Sequence, residues 1–95
     1  MLLCGVDEKL LHYRRLVLER AGFDVETALT SAEAAEWFRV KRFGLAVLGS
    51  GLTQGTRQTL QILCWQARVQ VYETPPLTGP EEMIRAVAAR VKRRT

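Results

Sequence analysis

The stretch from Phe43 to Leu52, which reads FGLAVLGSGL, decides the fold of this chain. An unbroken apolar run from Leu45 to Leu48 stops abruptly at Gly49-Ser50-Gly51. Such a run is typical of a parallel strand that is buried on both faces, and ligand crevices in parallel sheets lie at the carboxyl ends of the strands. Any site should therefore lie where this strand ends, and the sequence places glycine and serine there instead of an acid or a base.

The composition is that of one small globular domain. Of the 95 residues, 47% are hydrophobic and 25% are charged, so we expect a single domain over residues 1–95. The initiating Met1 and the polar, basic end favour a complete protein. No signal peptide pattern is present, and no apolar run approaches the roughly 20 residues of a membrane span, which predicts a cytoplasmic protein without a membrane partner. Cys4 and Cys64 stand far apart and are interpreted as buried, reduced side chains.

Strand-like and helix-like segments alternate on both sides of the central stretch. Asp7 is a candidate cap for a first helix that ends at Gly22, and the T-x-x-E pattern of Thr30 and Glu33 predicts a capping box for a second helix. The predicted strands are Met1 to Val6, Phe23 to Leu29, Phe43 to Leu48 and Val69 to Tyr72; the predicted helices are Lys9 to Ala21, Ser31 to about Arg42, Thr53 to Ala67, and the segment from Pro80 to the basic end at Lys92, Arg93 and Arg94.

This alternation of strand and helix, joined by short connections, predicts a three-layer α/β fold. A doubly wound parallel sheet with helices on both faces is the arrangement that right-handed crossovers allow. In the first helix we place the main apolar stripe on Leu10, Tyr13, Val17 and Ala21, with Leu11 and Leu18 at its margin. In the last helix the apolar stripe is Met83, Ile84, Val87, Ala88 and Val91.

Three stretches resemble the receiver (CheY-like) domain of bacterial response regulators. LERAGFDVETA, from Leu18 to Ala28, is similar to the end of the receiver's first helix and its second strand. TALTSAEAAEWFRVKRFGLAVLG, from Thr27 to Gly49, resembles the family pattern TASDGEEALELLREERPDLVLLD without a gap, and Pro75-Pro76-Leu77 followed by PEEMIRAV is similar to KPF…PEELLRAV. The resemblance implies a flavodoxin-like or CheY-like fold with strand order 2-1-3-4, and a part in two-component, phosphorelay-type signal transduction.

The residues that handle phosphate in that family do not carry over to this sequence. The position of the phosphate-accepting aspartate falls on Gly49, the acidic pair that holds magnesium falls on Gly5-Val6, and the lysine falls on Pro75. Asp7-Glu8 is displaced by two positions and is interpreted as helix capping. We therefore predict an atypical receiver-like signalling module that is not an enzyme, needs no cofactor or metal and acts by protein–protein interaction.

The chain is one strand–helix unit shorter than a receiver, which would leave the fourth strand at an edge of the sheet. An uncovered edge is an association site, so we predict a homodimer, or contact with another protein, through this strand and the last helix. Trp37 and Trp65 lie off the clearest stripes of their helices and belong either to an interface or to the core. The predicted interface residues are Trp65, Val69, Val71, Tyr72, Met83 and Val87.

The glycine-rich turn supports an alternative function, the binding of a nucleotide or dinucleotide phosphate. Gly49 to Gly55 has the form G-x-G-x-x-x-G between a strand and a helix, where glycines let a phosphate approach a helix N-terminus. The candidate ligand-binding residues are Gly49, Ser50, Gly51, Thr53 and Gly55. Two strand–helix units precede this turn, whereas a dinucleotide fingerprint normally opens its domain.

Other chemistries have weaker support. Ser50 as a nucleophile would need a nearby base, and His12, the one histidine, lies on the first helix. The net charge is +4, but the basic residues Arg14-Arg15, Arg39 to Arg42 and Arg90 to Arg94 are spread over several helices. Nucleic-acid binding would need them on one face with a groove-reading element, so the pattern argues against it.

Overall fold

The chain alternates four strands with four helices in a computed structural model that describes residues 1–91. The predicted basic helix end at Lys92, Arg93 and Arg94 lies outside the described residues. The strands are β1 (Leu2–Cys4), β2 (Glu26–Ala28), β3 (Leu45–Leu48) and β4 (Gln70–Glu73), and the helices are α1 (Glu8–Arg20), α2 (Ser31–Val40), α3 (Gln54–Gln66) and α4 (Pro80–Val91).

The strands form one parallel sheet in the order β2-β1-β3-β4, which confirms the predicted topology. Leu3 pairs with Thr27 on one side and with Val47 on the other, and Val47 pairs with Tyr72. The central strands β1 and β3 are therefore flanked on both sides, whereas β2 and β4 are the two edges. β1, β2 and β3 are shorter than the predicted strands, and β4 begins and ends one residue later than predicted.

The core has two layers, one on each face of the sheet. Along β3, Leu45 and Val47 face α1 and α4, whereas Ala46 and Leu48 face α2 and α3, and all four are buried. This burial on both faces explains why the central stretch is apolar without interruption. The residues that meet β3 from the helices are Leu11, Leu18, Met83 and Val87 on one face, and Ala34, Leu60 and Cys64 on the other.

The helix ends follow the capping signals of the sequence. The Asp7 carboxylate accepts hydrogen bonds from the backbone N–H groups of Lys9 and Leu10, at 3.1 and 3.2 Å. Gly22 ends the first helical segment with a left-handed φ of 96°, a conformation that glycine adopts without steric cost. Capping fixes where α1 begins, and this places the neighbouring residues Gly5 and Val6 at the end of β1.

The predicted apolar stripe of α1 is wrong by about one residue. Leu11 and Leu18 are the residues of this helix that are buried, whereas Leu10 and Tyr13 are 42% and 53% exposed. Leu16, on the same helix, is 41% exposed as well. Apolar residues occupy so much of the circumference of α1 that periodicity alone does not identify the inward face, and the contact with the sheet selects it.

The two tryptophans lie in different environments, one packed and one exposed. The indole of Trp37 packs against Phe43, with ring centroids 6.3 Å apart, and belongs to the core layer under α2 and α3. Trp65 is 80% exposed on α3.

In the part of the chain that the structure describes, none of the helices has the length and apolar character that crossing a bilayer requires.

Candidate functional site

The crevice at the carboxyl ends of β1 and β3 is narrow. The Gly49 N–H donates to the Cys4 carbonyl at 2.8 Å, so the two strands stay paired up to the point where both chains turn away. The cavity there is about 50 Å³ and is lined by Gly5 to Asp7, Leu10, Leu11, Arg14 and Gly49 to Gly51. Ligand pockets for molecules of drug size usually have roughly 300–1,000 Å³, so this crevice suits a water molecule or a small ion.

The glycine-rich turn of the alternative nucleotide interpretation forms the N-terminal end of α3. None of the candidate residues Gly49, Gly51 and Gly55 has a positive φ. The Arg57 guanidinium binds the carbonyls of Ser50 and Leu52, at 3.3 and 3.1 Å, which fixes the turn against α3. Thr53, the remaining candidate, caps α3 by accepting a hydrogen bond from the Thr56 N–H at 3.2 Å. The turn is thus an α3 N-terminus held by its own side chains beside a small cavity, and nucleotide binding there stays a prediction.

Arg14 brings a positive charge to the end of β3. A Cβ atom built on Gly49 would lie 3.8 Å from the Arg14 Nη1 atom and 3.2 Å from the Cys4 carbonyl oxygen. Within residues 1–91, the Arg14 side chain forms no hydrogen bond or ion pair. In the sequence, Arg14 is one of several scattered cations, and only the packing of α1 over the strand ends reveals its position.

The acidic residues beside the crevice act as structural groups. Asp7 uses its carboxylate to cap α1, as predicted, and Glu8 lies exposed in the first turn of that helix. Among the described residues, no cluster of three or more His, Cys, Asp or Glu side chains could hold a metal ion. The crevice therefore combines a guanidinium with one carboxylate that is already hydrogen bonded, which is a poor environment for a divalent cation.

Thr74 is a polar residue at this end of the sheet that the sequence analysis missed. Its side chain is 3% exposed, and its hydroxyl and its N–H both donate to the Leu48 carbonyl, at 3.0 and 2.9 Å. Thr74 thereby fastens the end of β4 to the end of β3, one residue before Gly49. Pro75 follows directly, so the chain leaves the sheet at this point.

Within residues 1–91, the edge strand β4 presents backbone groups for which the structure shows no partner. Gln70 and Thr74 donate to β3, at the carbonyls of Gly44 and Leu48, so the alternate residues Val71 and Glu73 turn their N–H and C=O groups outward. Nothing within residues 1–91 hydrogen bonds to the backbone of Val71 on that side. This edge is therefore open to another strand.

Side chains from α3 and α4 flank the open edge. On the α3 side, the Glu73 carboxylate accepts from Arg57 at 2.7 Å and from Gln61 at 2.6 Å. On the α4 side, the Arg90 guanidinium lies 4.1 Å from the centre of the Tyr72 ring. These contacts hold the β4 side chains in place while leaving its outward backbone accessible.

The opposite edge, β2, is partly covered by side chains. The Trp37 indole N–H donates to the Thr27 carbonyl at 3.0 Å, and the Glu33 carboxylate accepts from the Leu29 N–H at 2.6 Å. Glu33 thus completes the predicted capping box at Leu29, one residue before the N-cap Thr30, whose hydroxyl accepts from the Glu33 N–H. Covering outward backbone groups in this way is how soluble proteins protect a sheet edge.

The structure corrects part of the predicted interface. Met83 and Val87 are 2% and 0% exposed, because α4 turns its apolar stripe toward the sheet, and they are not available to a partner. Val69 is also buried in the core layer under α3. Of the predicted set, Trp65, Val71 and Tyr72 lie where another molecule could reach them.

Both cysteines are buried and reduced. Burial raises the pKa of the Cys4 thiol to about 12 and that of the Cys64 thiol to about 11, and the proximity of Cys64 contributes to the shift at Cys4. Such thiols stay protonated at neutral pH and are poor nucleophiles. Their place in the core layer under α2 and α3 makes them packing residues.

Comparison with known proteins identifies the fold. No protein-family model matches the chain, and no curated protein matches it. A solved CheY-like response regulator receiver domain protein from Methanospirillum hungatei JF-1 has a TM-score of 0.69 and 16% sequence identity, over 97% of this chain and 92% of that one. A de novo designed Rossmann fold protein has a TM-score of 0.60 and 19% identity, over 93% and 91%. The chain therefore has the receiver-like, doubly wound α/β fold.

Proposed function

We propose that this chain is an atypical receiver-like signalling domain that acts by binding protein and is not phosphorylated on aspartate. The observation that carries the proposal is the end of β3, where Gly49 has no side chain and the Arg14 guanidinium lies 3.8 Å from the position a Cβ would take. A scaffold of the receiver type is kept, whereas the strand end that would carry the reacting carboxylate is bare.

The chemistry of phosphoryl transfer supports this proposal. The reaction needs a carboxylate nucleophile, oxygen ligands for a metal ion and a cation that stabilises the developing charge. At the crevice, Asp7 is committed to the cap of α1, and Arg14 stands beside the strand end where a divalent cation would be needed. The proposed role is therefore non-enzymatic recognition by a cytoplasmic partner-binding module related to two-component signalling.

Intact mass after incubation with acetyl phosphate and Mg²⁺ tests the phosphorylation part of the proposal. We expect the mass to stay that of the unmodified chain. A receiver domain that retains its aspartate, treated in parallel, verifies the reagent. An added phosphoryl group would overturn the proposal, and the Asp7→Asn variant would then show whether the displaced carboxylate had reacted.

A further inference from the structure

We propose that the open edge of β4 pairs with β4 of a second copy of this chain, antiparallel, with Val71 facing Val71 across a two-fold axis. This inference names the partner in the proposed protein-binding function and rests on that function for taking this surface as the binding surface. The joined molecule would have one continuous sheet that crosses both copies.

The backbone at the edge selects a strand as the occupant. Val71 directs an N–H and a C=O away from β3, and Glu73 directs its N–H the same way, two residues further on. An extended strand is the structure that offers acceptors and donors at this spacing. Because Val71 is already half-buried beneath α3, covering its backbone requires no change in the fold.

The contrast between the two edges points to β4 alone. At β2, side chains of α2 already occupy the outward Thr27 carbonyl and Leu29 N–H. At β4, the side chains of α3 that come near the edge, Arg57 and Gln61, bind the Glu73 carboxylate and leave the backbone uncovered. Within residues 1–91, a partner strand therefore finds uncovered hydrogen-bonding groups along β4, whereas side chains of α2 already bind two of the outward groups of β2.

The distribution of charge along β4 favours a second copy. In the Val71-centred register, the N–H of Glu73 donates to the Val69 carbonyl of the second copy. The N–H of Val69 takes no part in the pairing, because it already donates to the Cys64 carbonyl of its own chain at 2.8 Å. Glu73 then faces Val69 of the other copy, next to Arg68, which lies in the turn that precedes β4. Arg68 is exposed and forms no ion pair within residues 1–91, so the pairing gives it an opposite charge.

Charge also excludes a neighbouring register. If the axis passed through Glu73 instead, the two Glu73 carboxylates would lie directly opposite each other, and like charges at facing positions of a sheet are destabilising. The Val71-centred register instead brings Glu73 of each copy near Arg68 of the other, at both ends of the paired segment. The self-complementarity that a two-fold interface requires is thus present within residues 68–73.

An exposed aromatic side chain extends the surface beyond the strand. Trp65 is 80% exposed and follows Gln61 by one helical turn, on the side of α3 that faces the β4 edge. A two-fold axis perpendicular to the sheet places the α3 helices of both copies on the same face. Trp65 of each copy would then supply apolar contact area next to the paired strands.

Sedimentation equilibrium of the purified chain tests the proposal. We expect a species of twice the monomer mass of 10.7 kDa. Val71→Pro removes the outward N–H and leaves the bonds that Gln70 and Thr74 donate to β3, so the dimer should be lost. Thr27→Pro is the matched control, because it removes an outward N–H from the opposite edge strand and should leave the dimer unchanged.

A charge substitution provides a second test that does not depend on proline. Arg68→Glu changes an exposed, unpaired side chain and places an acid beside Glu73 of the other copy, so the dimer dissociation constant should rise about tenfold. Circular dichroism verifies that each variant folds, and if Val71→Pro does not fold, Arg68→Glu decides.

Two results would overturn the β4 pairing. One is a wild-type chain that stays monomeric at high concentration, and the other is a dimer that neither Val71→Pro nor Arg68→Glu weakens. Neither result affects the outcome of the phosphorylation test. Conversely, a phosphorylated chain would overturn the proposed function without contradicting a β4 dimer.

Discussion

Gly49 has a packing role as well as a proposed functional one. It lies between the carbonyl of Cys4 and the side chain of Arg14, and the nearest backbone atom would be 3.2 Å from an added Cβ. A contact that short is tighter than ordinary van der Waals packing, so the neighbouring strand would have to shift. The absence of a side chain at this position therefore matches the close approach of β1 and β3 at their carboxyl ends.

Two glycine-to-alanine variants distinguish the effect of steric crowding on stability from the effect of backbone conformational entropy. Gly49→Ala should lower the free energy of unfolding by about 1–3 kcal/mol, because a methyl group is forced against the Cys4 carbonyl. Gly55→Ala, within α3 and with open space around its Cβ position, should raise it by about 0.4–1 kcal/mol. Urea denaturation measures both, and a Gly49→Ala variant as stable as the wild type would contradict the crowding.

The buried thiols predict a loss of stability in alkali. The unfolded chain releases its thiol protons near pH 9, whereas the folded chain keeps those of Cys4 and Cys64 up to about pH 12 and 11. Stability contributed by the neutral thiols is therefore complete below pH 9 and declines above it, by about 1.4 kcal/mol per pH unit for each thiol. Urea denaturation at a series of pH values measures the slope, which should be less steep in the Cys4→Ala/Cys64→Ala variant. An equal slope in that variant would show that other groups cause the decline.

At the scale of elements, the sequence predicts the order and type of every strand and helix but not the inward face of α1. Capping residues such as Asp7 and Thr30 act locally, so their signals survive without tertiary information. The choice between Leu10 and Leu11 depends on how α1 settles on the sheet, and both are leucine. The same distinction applies to Met83 and Val87. An apolar stripe in the sequence does not show whether it packs on the chain's own sheet or on a partner, and in the structure it packs on the sheet.

Neighbouring leucines in α1 test the corrected face. Leu11→Ala should lower the free energy of unfolding by about 2–5 kcal/mol, because Leu11 is 4% exposed in the core layer under α1 and α4. Leu10→Ala, one residue away and 42% exposed, should cost under about 1 kcal/mol. Thermal or urea unfolding of both variants gives the comparison, and equal losses would show that the helix faces the sheet differently.

Local sequence patterns predict only part of the candidate site. The gap-free match from Thr27 placed Gly49 at the end of β3, and the structure puts it there. Arg14 and Thr74 also meet this strand end, but they come from a distant helix and from another strand. Their contacts depend on the assembled sheet, so no short pattern in the sequence identifies them.

At the scale of the whole molecule, the small size of the domain gives association a thermodynamic role. A chain of this length buries a modest fraction of its unfolded surface, so its stability rests on two thin core layers. The proposed contact with a second copy would add burial and cover the outward backbone of β4. Folding and pairing should therefore be linked in this protein.

This linkage predicts a melting temperature that depends on concentration. If β4 pairs with a second copy, the melting temperature of the wild type should rise as the protein concentration is raised, because mass action favours the associated folded state. Arg68→Glu should weaken this dependence without affecting the core. Differential scanning calorimetry across a hundredfold range of concentration measures it, and an invariant wild-type melting temperature would contradict the linkage.

The partial covering of the β2 edge by Trp37 and Glu33 would limit how far the proposed assembly can grow. A subunit that could accept strands at both edges would be a monomer for polymerisation, and every addition would create a new end. In the proposed dimer, pairing uses the β4 edge of both copies and leaves the β2 edges outermost, so growth would end at two subunits. Under this proposal, two side chains on α2 would limit each chain to one partner and would disfavour fibres.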